Sequence, residues 1–254
     1  MTERRIGVIV IGDELLTGKR QDKHFPQVVR MLGKRGMELA WARFLGDAPE
    51  LITRSLRESL IAGDIVFSFG GIGATPDDRT RQCAAEALGV GLAFHPEGVA
   101  ELEARFGRPV EPAQRLRLVE FPEGAEIIPN PVNRVPGFSV RDHHFVPGFP
   151  SMAWPMVEWV LDSRYGHLHA PGAVAEQAIT VQAKESEVIP LMEAFVERYP
   201  GLKLSCLPSA EPGEFRLELG LRGPAAEVAE AMPELRAEVE RLGLPWETVV
   251  LPDR

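Results

Sequence analysis

The stretch "DIVFSFGGIGATPDDRT", Asp64 to Thr80, decides the fold. Ile65 to Phe69 reads as a short strand that stops at Gly70-Gly71. Gly73 follows, then a polar turn carrying two adjacent carboxylates, Asp77 and Asp78. The next segment, "PDDRTRQCAAEALGV", has helical spacing. A strand that passes through glycines into a helix is the repeating unit of a parallel α/β sheet. In such sheets ligands gather at the carboxyl ends of the strands.

The same alternation extends upstream. "RRIGVIVIG" is a β-branched run suited to a strand buried on both faces. "KHFPQVVRMLGKRG" keeps helical spacing at Phe25, Val28, Val29 and Leu32. "MELAWARFLG" alternates as a second strand. "DAPELITRSLRESLIAGD" offers Asp47 as a helix cap and Pro49 in the first turn. Downstream, "HPEGVAELEARFG" reads as a helix. The proline-dense middle suggests short β segments at "AEIIP", "GFSV" and "HHFVPG". "MAWPMVEWVLDSRYG" closes a first domain over residues 1–168, and "HLHAPGAVA" reads as a linker. Residues 173–254 follow a βαββαβ order, the ferredoxin-like arrangement. The expected fold class is therefore α/β: a mainly parallel, three-layer sheet domain with a smaller C-terminal α+β domain.

Composition narrows the function classes. The formal net charge of -9 argues against a nucleic-acid or membrane surface. Residues 173–254 carry 15 Asp/Glu against 8 Lys/Arg, the wrong sign for a phosphate backbone. That also disfavours reading "GLRG", Gly220 to Gly223, as an RNA clamp, and the domain reads as a packing or oligomerisation module within a homo-oligomer. Cys83 and Cys206 form no metal-ligand pattern and read as buried or free thiols. The apolar stretch Ile6 to Ile11 is too short for a signal peptide, no run approaches a membrane span, and a cytoplasmic location is expected.

The glycine loop carries the candidate chemistry. Gly70, Gly71 and Gly73 let the backbone approach an anion and point N–H groups at it. No Gly-Lys-Ser/Thr follows, so this is not a Walker A loop. Thr75 as N-cap, Pro76 as first helical residue and Asp78 three residues on make a capping box, which accounts for one acid. A divalent cation accounts for the second, because it bridges carboxylates to phosphate oxygens. "GDELLTGKRQD" adds Asp13, Glu14 and Asp22 at a neighbouring strand end; each alone reads as loop charge or, for Asp22, a helix start. His143 and His144, neighbours on a strand, point to opposite faces and do not share a metal.

"GDELLTG" with Asp22 following, "GGIGATPDD", "PEGAEIIPNPV" and "VPGFPSM" occur in an order that resembles the molybdopterin-binding domain family. The nearest resemblance is to the N-terminal part of CinA proteins, with the molybdenum-cofactor proteins MoaB and MogA more distant. It covers about the first two thirds of the chain and excludes the nicotinamide mononucleotide deamidase domain that CinA proteins often add, so that activity is not expected here. The resemblance implies a phosphorylated ligand, a molybdopterin or a nucleotide. It further implies phosphate contacts from Gly70, Gly71, Gly73 and Thr75, and a second ligand-facing turn at Pro147, Gly148 and Pro150. Asp13, Asp77 and Asp78 become the catalytic acids, and Asp13 and Asp78 the ligands of Mg²⁺ or Mn²⁺. Three readings stay open: metal-dependent hydrolysis of a nucleotide pyrophosphate such as ADP-ribose, binding without turnover, and a structural partner with a decayed site. The chain departs from the family pattern at His24, where Asn is usual, at Arg134 in "NRVPG", and in "PGFPSM", which lacks a Glu after the turn.

Overall fold

The computed structural model describes residues 4–209 and 215–250. The chain divides into two compact units, Met1–His169 and Ala170–Arg254.

The first unit runs β1 (Ile6–Ile11), α1 (Asp13–Leu16), α2 (His24–Gly33), β2 (Leu39–Leu45), α3 (Pro49–Ala62), β3 (Ile65–Phe69) and α4 (Thr80–Leu88). It continues with β4 (Leu92–Phe94), α5 (Pro96–Phe106), β5 (Glu120–Pro122), β6 (Glu126–Ile128), β7 (Gly137–Val140), β8 (His143–Val146) and α6 (Pro150–Arg164). Six strands form one sheet in the order β2-β1-β3-β8-β7-β6. The four from β2 to β8 are parallel, and β7 and β6 add antiparallel. β1 is buried at every position, as its β-branched run requires. Its side chains alternate between two cores. Val8 and Val10 join Val28, Met31, Leu32, Met156 and Val160 under α2 and α6. Ile9 and Ile11 join Ile52, Leu56, Cys83 and Ala84 under α3 and α4. Each such fully buried aliphatic side chain contributes about 1.5–3 kcal/mol. The expected three-layer α/β fold is thus what the chain adopts.

Two elements were not legible in the sequence. α1 is a single turn after β1, and β4 pairs with β5 in a small separate ladder. One boundary also differs. The helix expected from Pro76 begins at Thr80, because residues 75–78 close a turn of their own.

His143 and His144 do diverge. His143 Nε2 lies 2.7 Å from Ser59 Oγ, while His144 bridges Ser139 Oγ at 2.8 Å and Tyr165 OH at 2.7 Å. Tyr165 donates to Asp142 Oδ1 at 2.9 Å, so its oxygen accepts from His144 Nε2–H, and His144 Nδ1 accepts from Ser139. Both imidazoles are held neutral. Burial pushes His143 down to about 4 and His144 well below its usual value. The pair sits at the amino-terminal end of β8, away from the glycine loop.

The second unit runs β9 (Val174–Val181), α7 (Glu185–Arg198), β10 (Lys203–Pro208), β11 (Leu217–Pro224), α8 (Ala225–Arg241) and β12 (Trp246–Val249). Its antiparallel sheet has the order β10-β11-β9-β12, the ferredoxin-like topology, and packs its own core of Ile179, Val188, Leu219, Val228 and Leu235. Limited proteolysis is expected to cut within residues 167–173 and leave two stable fragments; first cleavage inside β1 to β3 counts against that boundary.

Candidate functional site at the carboxyl edge of the first sheet

The chain leaves β1 through α2 on one face of the sheet and returns from β2 through α3 on the other. That reversal makes the carboxyl ends of β1 and β3 a topological switch point, where open α/β sheets bind ligands. Residues 12–23 follow β1 there, and residues 70–79 follow β3.

The loop after β3 turns its carbonyls inward. Gly70 O accepts from Thr80 Oγ1 at 3.1 Å, Gly71 O from Thr80 N at 3.0 Å, and Gly73 O from Arg81 Nη2. Among the described residues, nothing accepts from the backbone N–H groups of Gly71, Ile72, Gly73 and Ala74. These four consecutive amides, with the Gly71 and Gly73 carbonyls tied back, are donors of the kind that glycine loops offer to anions. Gly70 and Gly71 make this possible at φ values of +96° and +68°. A Cβ on Gly70 would lie 2.5 Å from Ile11 O, and one on Gly71 would lie 2.1 Å from Thr80 Oγ1. Gly73 is outside the left-handed region; its missing side chain makes room for the Asp78 carboxylate, 2.4 Å from where a Cβ would stand.

The acids do not form one cluster. Asp78 Oδ2 accepts from Thr75 N at 3.0 Å and from Thr75 Oγ1, which fixes the turn before α4 and occupies both polar groups of Thr75. Thr75 therefore offers an anion neither group in this arrangement. Asp13 and Asp47, at the ends of β1 and β2, hold each other's backbone: Asp13 N donates to Asp47 Oδ2 at 3.0 Å, and Asp47 N to Asp13 Oδ1 at 3.1 Å. Burial raises the Asp47 carboxyl, and the negative charges of Asp13, Glu14 and Asp77 raise it further. Among the described residues, no three His, Cys, Asp or Glu side chains converge as a metal cage. The donors fit the sparse Mg²⁺ type of site, in which one or two carboxylates and ligand phosphates share the ion. Asp13 and Asp47 each keep one carboxylate oxygen outside the mutual bonds. Asp47 was read in the sequence only as a helix cap; its place beside Asp13 comes from the pairing of β1 with β2.

A cavity of about 440 Å³ opens beside the loop, lined on its polar side by Glu14, Arg20, Asp22, Lys23 and His24. Phe69, Gly148 and Pro150 complete its wall. Gly70, Gly71, Gly73 and Thr75 are not among its lining residues. Pro147 does not line the cavity. Gly148 packs against Gly70, so the two turns touch. Asp22 receives the amides of His24 and Phe25 at 2.9 Å each, the helix-start role. His24 stacks on Phe69 with centroids 4.3 Å apart and donates Nε2–H to Gly148 O at 3.1 Å. Burial holds it below its usual pKa. Arg134 is paired with Glu101 at 3.0 Å. Arg20 and Lys23 escaped the sequence reading. They flank Asp22 in "GKRQDKH", and that interleaving of cations with a singled-out acid was the available signal.

Residues 7–167 match the family profile described as "probable molybdopterin binding domain". A CinA-like protein of Koribacter versatilis is 30% identical over 245 residues, 92% of this chain and 59% of its own length. A CinA-like protein of Escherichia coli strain SMS-3-5 is 30% identical over 249 residues, 94% of this chain and 60% of its own length. The chain therefore spans about three-fifths of these relatives. A crystal structure of the protein CinA from Thermoplasma acidophilum, itself described as of unknown function, superposes with a TM-score of 0.59 at 24% identity. It covers 64% of this chain and 99% of that one, which establishes the likeness of fold.

Proposed function

The chain belongs to the molybdopterin-binding domain family as a CinA-like member, and from that premise we propose that its first unit binds a phosphorylated nucleotide or pterin at the glycine loop. The observation that supports this most directly is the run of free amides from Gly71 to Ala74. Backbone donors fixed in advance stabilise charge on a phosphoryl group without reorganising. The adjoining cavity, with Arg20 and Lys23 on its wall, takes the rest of the ligand.

The enzymatic form of this reading is hydrolysis of a nucleotide pyrophosphate such as ADP-ribose. Water adds to one phosphorus, the bridging P–O bond breaks, and two phosphomonoesters leave. Asp13, with Asp47, would hold Mg²⁺ or Mn²⁺, with Asp77 and Asp78 at the edge of that region; such an ion lowers the pKa of bound water and neutralises phosphate charge. The rival reading, binding without turnover, draws on the commitment of Asp13, Asp47 and Asp78 to backbone and hydroxyl donors.

The two separate on one experiment. The protein is incubated with ADP-ribose and Mn²⁺, and AMP is measured. Turnover that falls on the order of a hundredfold in Asp13→Asn, with melting shifted by only a few degrees, supports the hydrolase. Ligand-induced stabilisation without AMP release supports the binding module. No response to ADP-ribose, AMP or a pterin phosphate rejects both.

A further inference from the structure

Arg81 is the second residue of α4 and only 2% exposed, yet the fold leaves its charge largely uncompensated. Nη2 donates to Gly73 O, while Nε and Nη1 are buried without any partner. A lone buried cation is costly unless something pairs with it. Its position makes matters worse, because the amino-terminal turn of a helix disfavours positive charge. Asp78 and Glu120 are near enough to favour the charged form, but neither accepts from Arg81. Burial lowers its pKa, and Arg117 lowers it further. Packing alone gives no reason for a guanidinium here, since a thioether or alkyl chain would fill the space and leave no donor unmet.

The location supplies a reason. The carbonyl that Arg81 grips belongs to Gly73, whose own N–H is one of the four free amides. The guanidinium therefore stands directly behind the anion receptor. We propose that Arg81 is a positioning residue of the anion site: it holds the Gly73 peptide turned outward and supplies the positive charge that a bound phosphoryl group completes. The inference rests on the glycine-loop reading and adds a charged residue to a site that otherwise has only neutral backbone donors. It also specifies the ligand moiety at the loop as a dianionic phosphoryl or pyrophosphoryl group.

The test uses the whole chain. Wild type, Arg81→Met and Arg81→Lys are titrated with inorganic pyrophosphate and with ADP-ribose by calorimetry, and their melting is recorded without ligand. Arg81→Met is expected to weaken both ligands by about tenfold or more, as the loss of a charge-assisted contact does. Its melting temperature without ligand should stay level or rise, because an unmet buried charge has been removed. Arg81→Lys should recover part of the affinity by returning the charge. Melting that drops sharply in Arg81→Met identifies a structural strut and overturns the proposal, whatever the affinity. Unchanged affinity in a folded Arg81→Met overturns it while leaving the glycine-loop reading intact. A wild type that binds neither ligand overturns both.

Discussion

Gly73→Val is expected to leave a folded protein that no longer binds the phosphorylated ligand proposed for the glycine loop. The new Cβ would stand 2.4 Å from Asp78 Oδ2, and that atom ends a flexible side chain, so the carboxylate swings away and the backbone stays. Losing the Asp78 turn costs about 1 kcal/mol, a melting shift of a few degrees. The isopropyl group, however, covers the free amides on either side of it. Two lost charge-assisted hydrogen bonds at roughly 1.5–3 kcal/mol each amount to a hundredfold or more in affinity. Titration with ADP-ribose, AMP and a pterin phosphate reads this directly. Unchanged affinity in a folded variant moves the anion site off this loop. Gly70→Val is the contrasting case: at φ +96° and 2.5 Å from the Ile11 carbonyl, it strains the backbone itself and should lower stability by several kcal/mol.

Acidification is expected to unfold the first unit earlier than its carboxylates alone require. His143 and His144 are neutral in the folded chain, whereas each binds a proton near pH 6.5 when unfolded. Between that value and about 4 for His143, the unfolded state holds more protons. Stability is therefore complete above pH 6.5 and falls as the pH drops through that window. For His143 the slope approaches about 1.4 kcal/mol per pH unit below pH 6.5, and His144 acts in the same direction. Urea denaturation at pH 7, 6 and 5 measures the slope. His144→Gln should flatten it, and an unaltered slope in that variant places the acid sensitivity elsewhere.

The sequence disclosed what depends on local pattern. The two-faced burial of β1, the alternation of strands and helices, and the βαββαβ order of the second unit are all periodicities, and all three are present. The glycine loop was legible because Gly70 and Gly71 at a strand end have few other uses. What stayed hidden depends on register between elements. Asp47 meets Asp13 only because β1 and β2 are parallel and end level with each other. Arg81 looks like an ordinary helix charge until α4 is seen to start at Thr80, which turns it under the loop instead of toward solvent. Thr75 and Asp78 were read as a cap for α4; they close a turn ahead of it, since Asp78 reaches Thr75 before the chain can coil. Arg134 stood out in the sequence only as a departure from the family pattern, and folding brings Glu101 to it.

The loop after β3 closes almost entirely on itself: Thr80 ties Gly70 and Gly71, Arg81 ties Gly73, and Asp78 ties Thr75. It is anchored to the rest of the unit by the bond from Gly70 N to Val146 O, the packing of Gly148 on Gly70 and the burial of Ile72 in the second core. Such a segment behaves as a portable cassette. Residues 70–81, moved as a block onto another parallel sheet with a glycine at the matching neighbour turn, should bring their conformation with them.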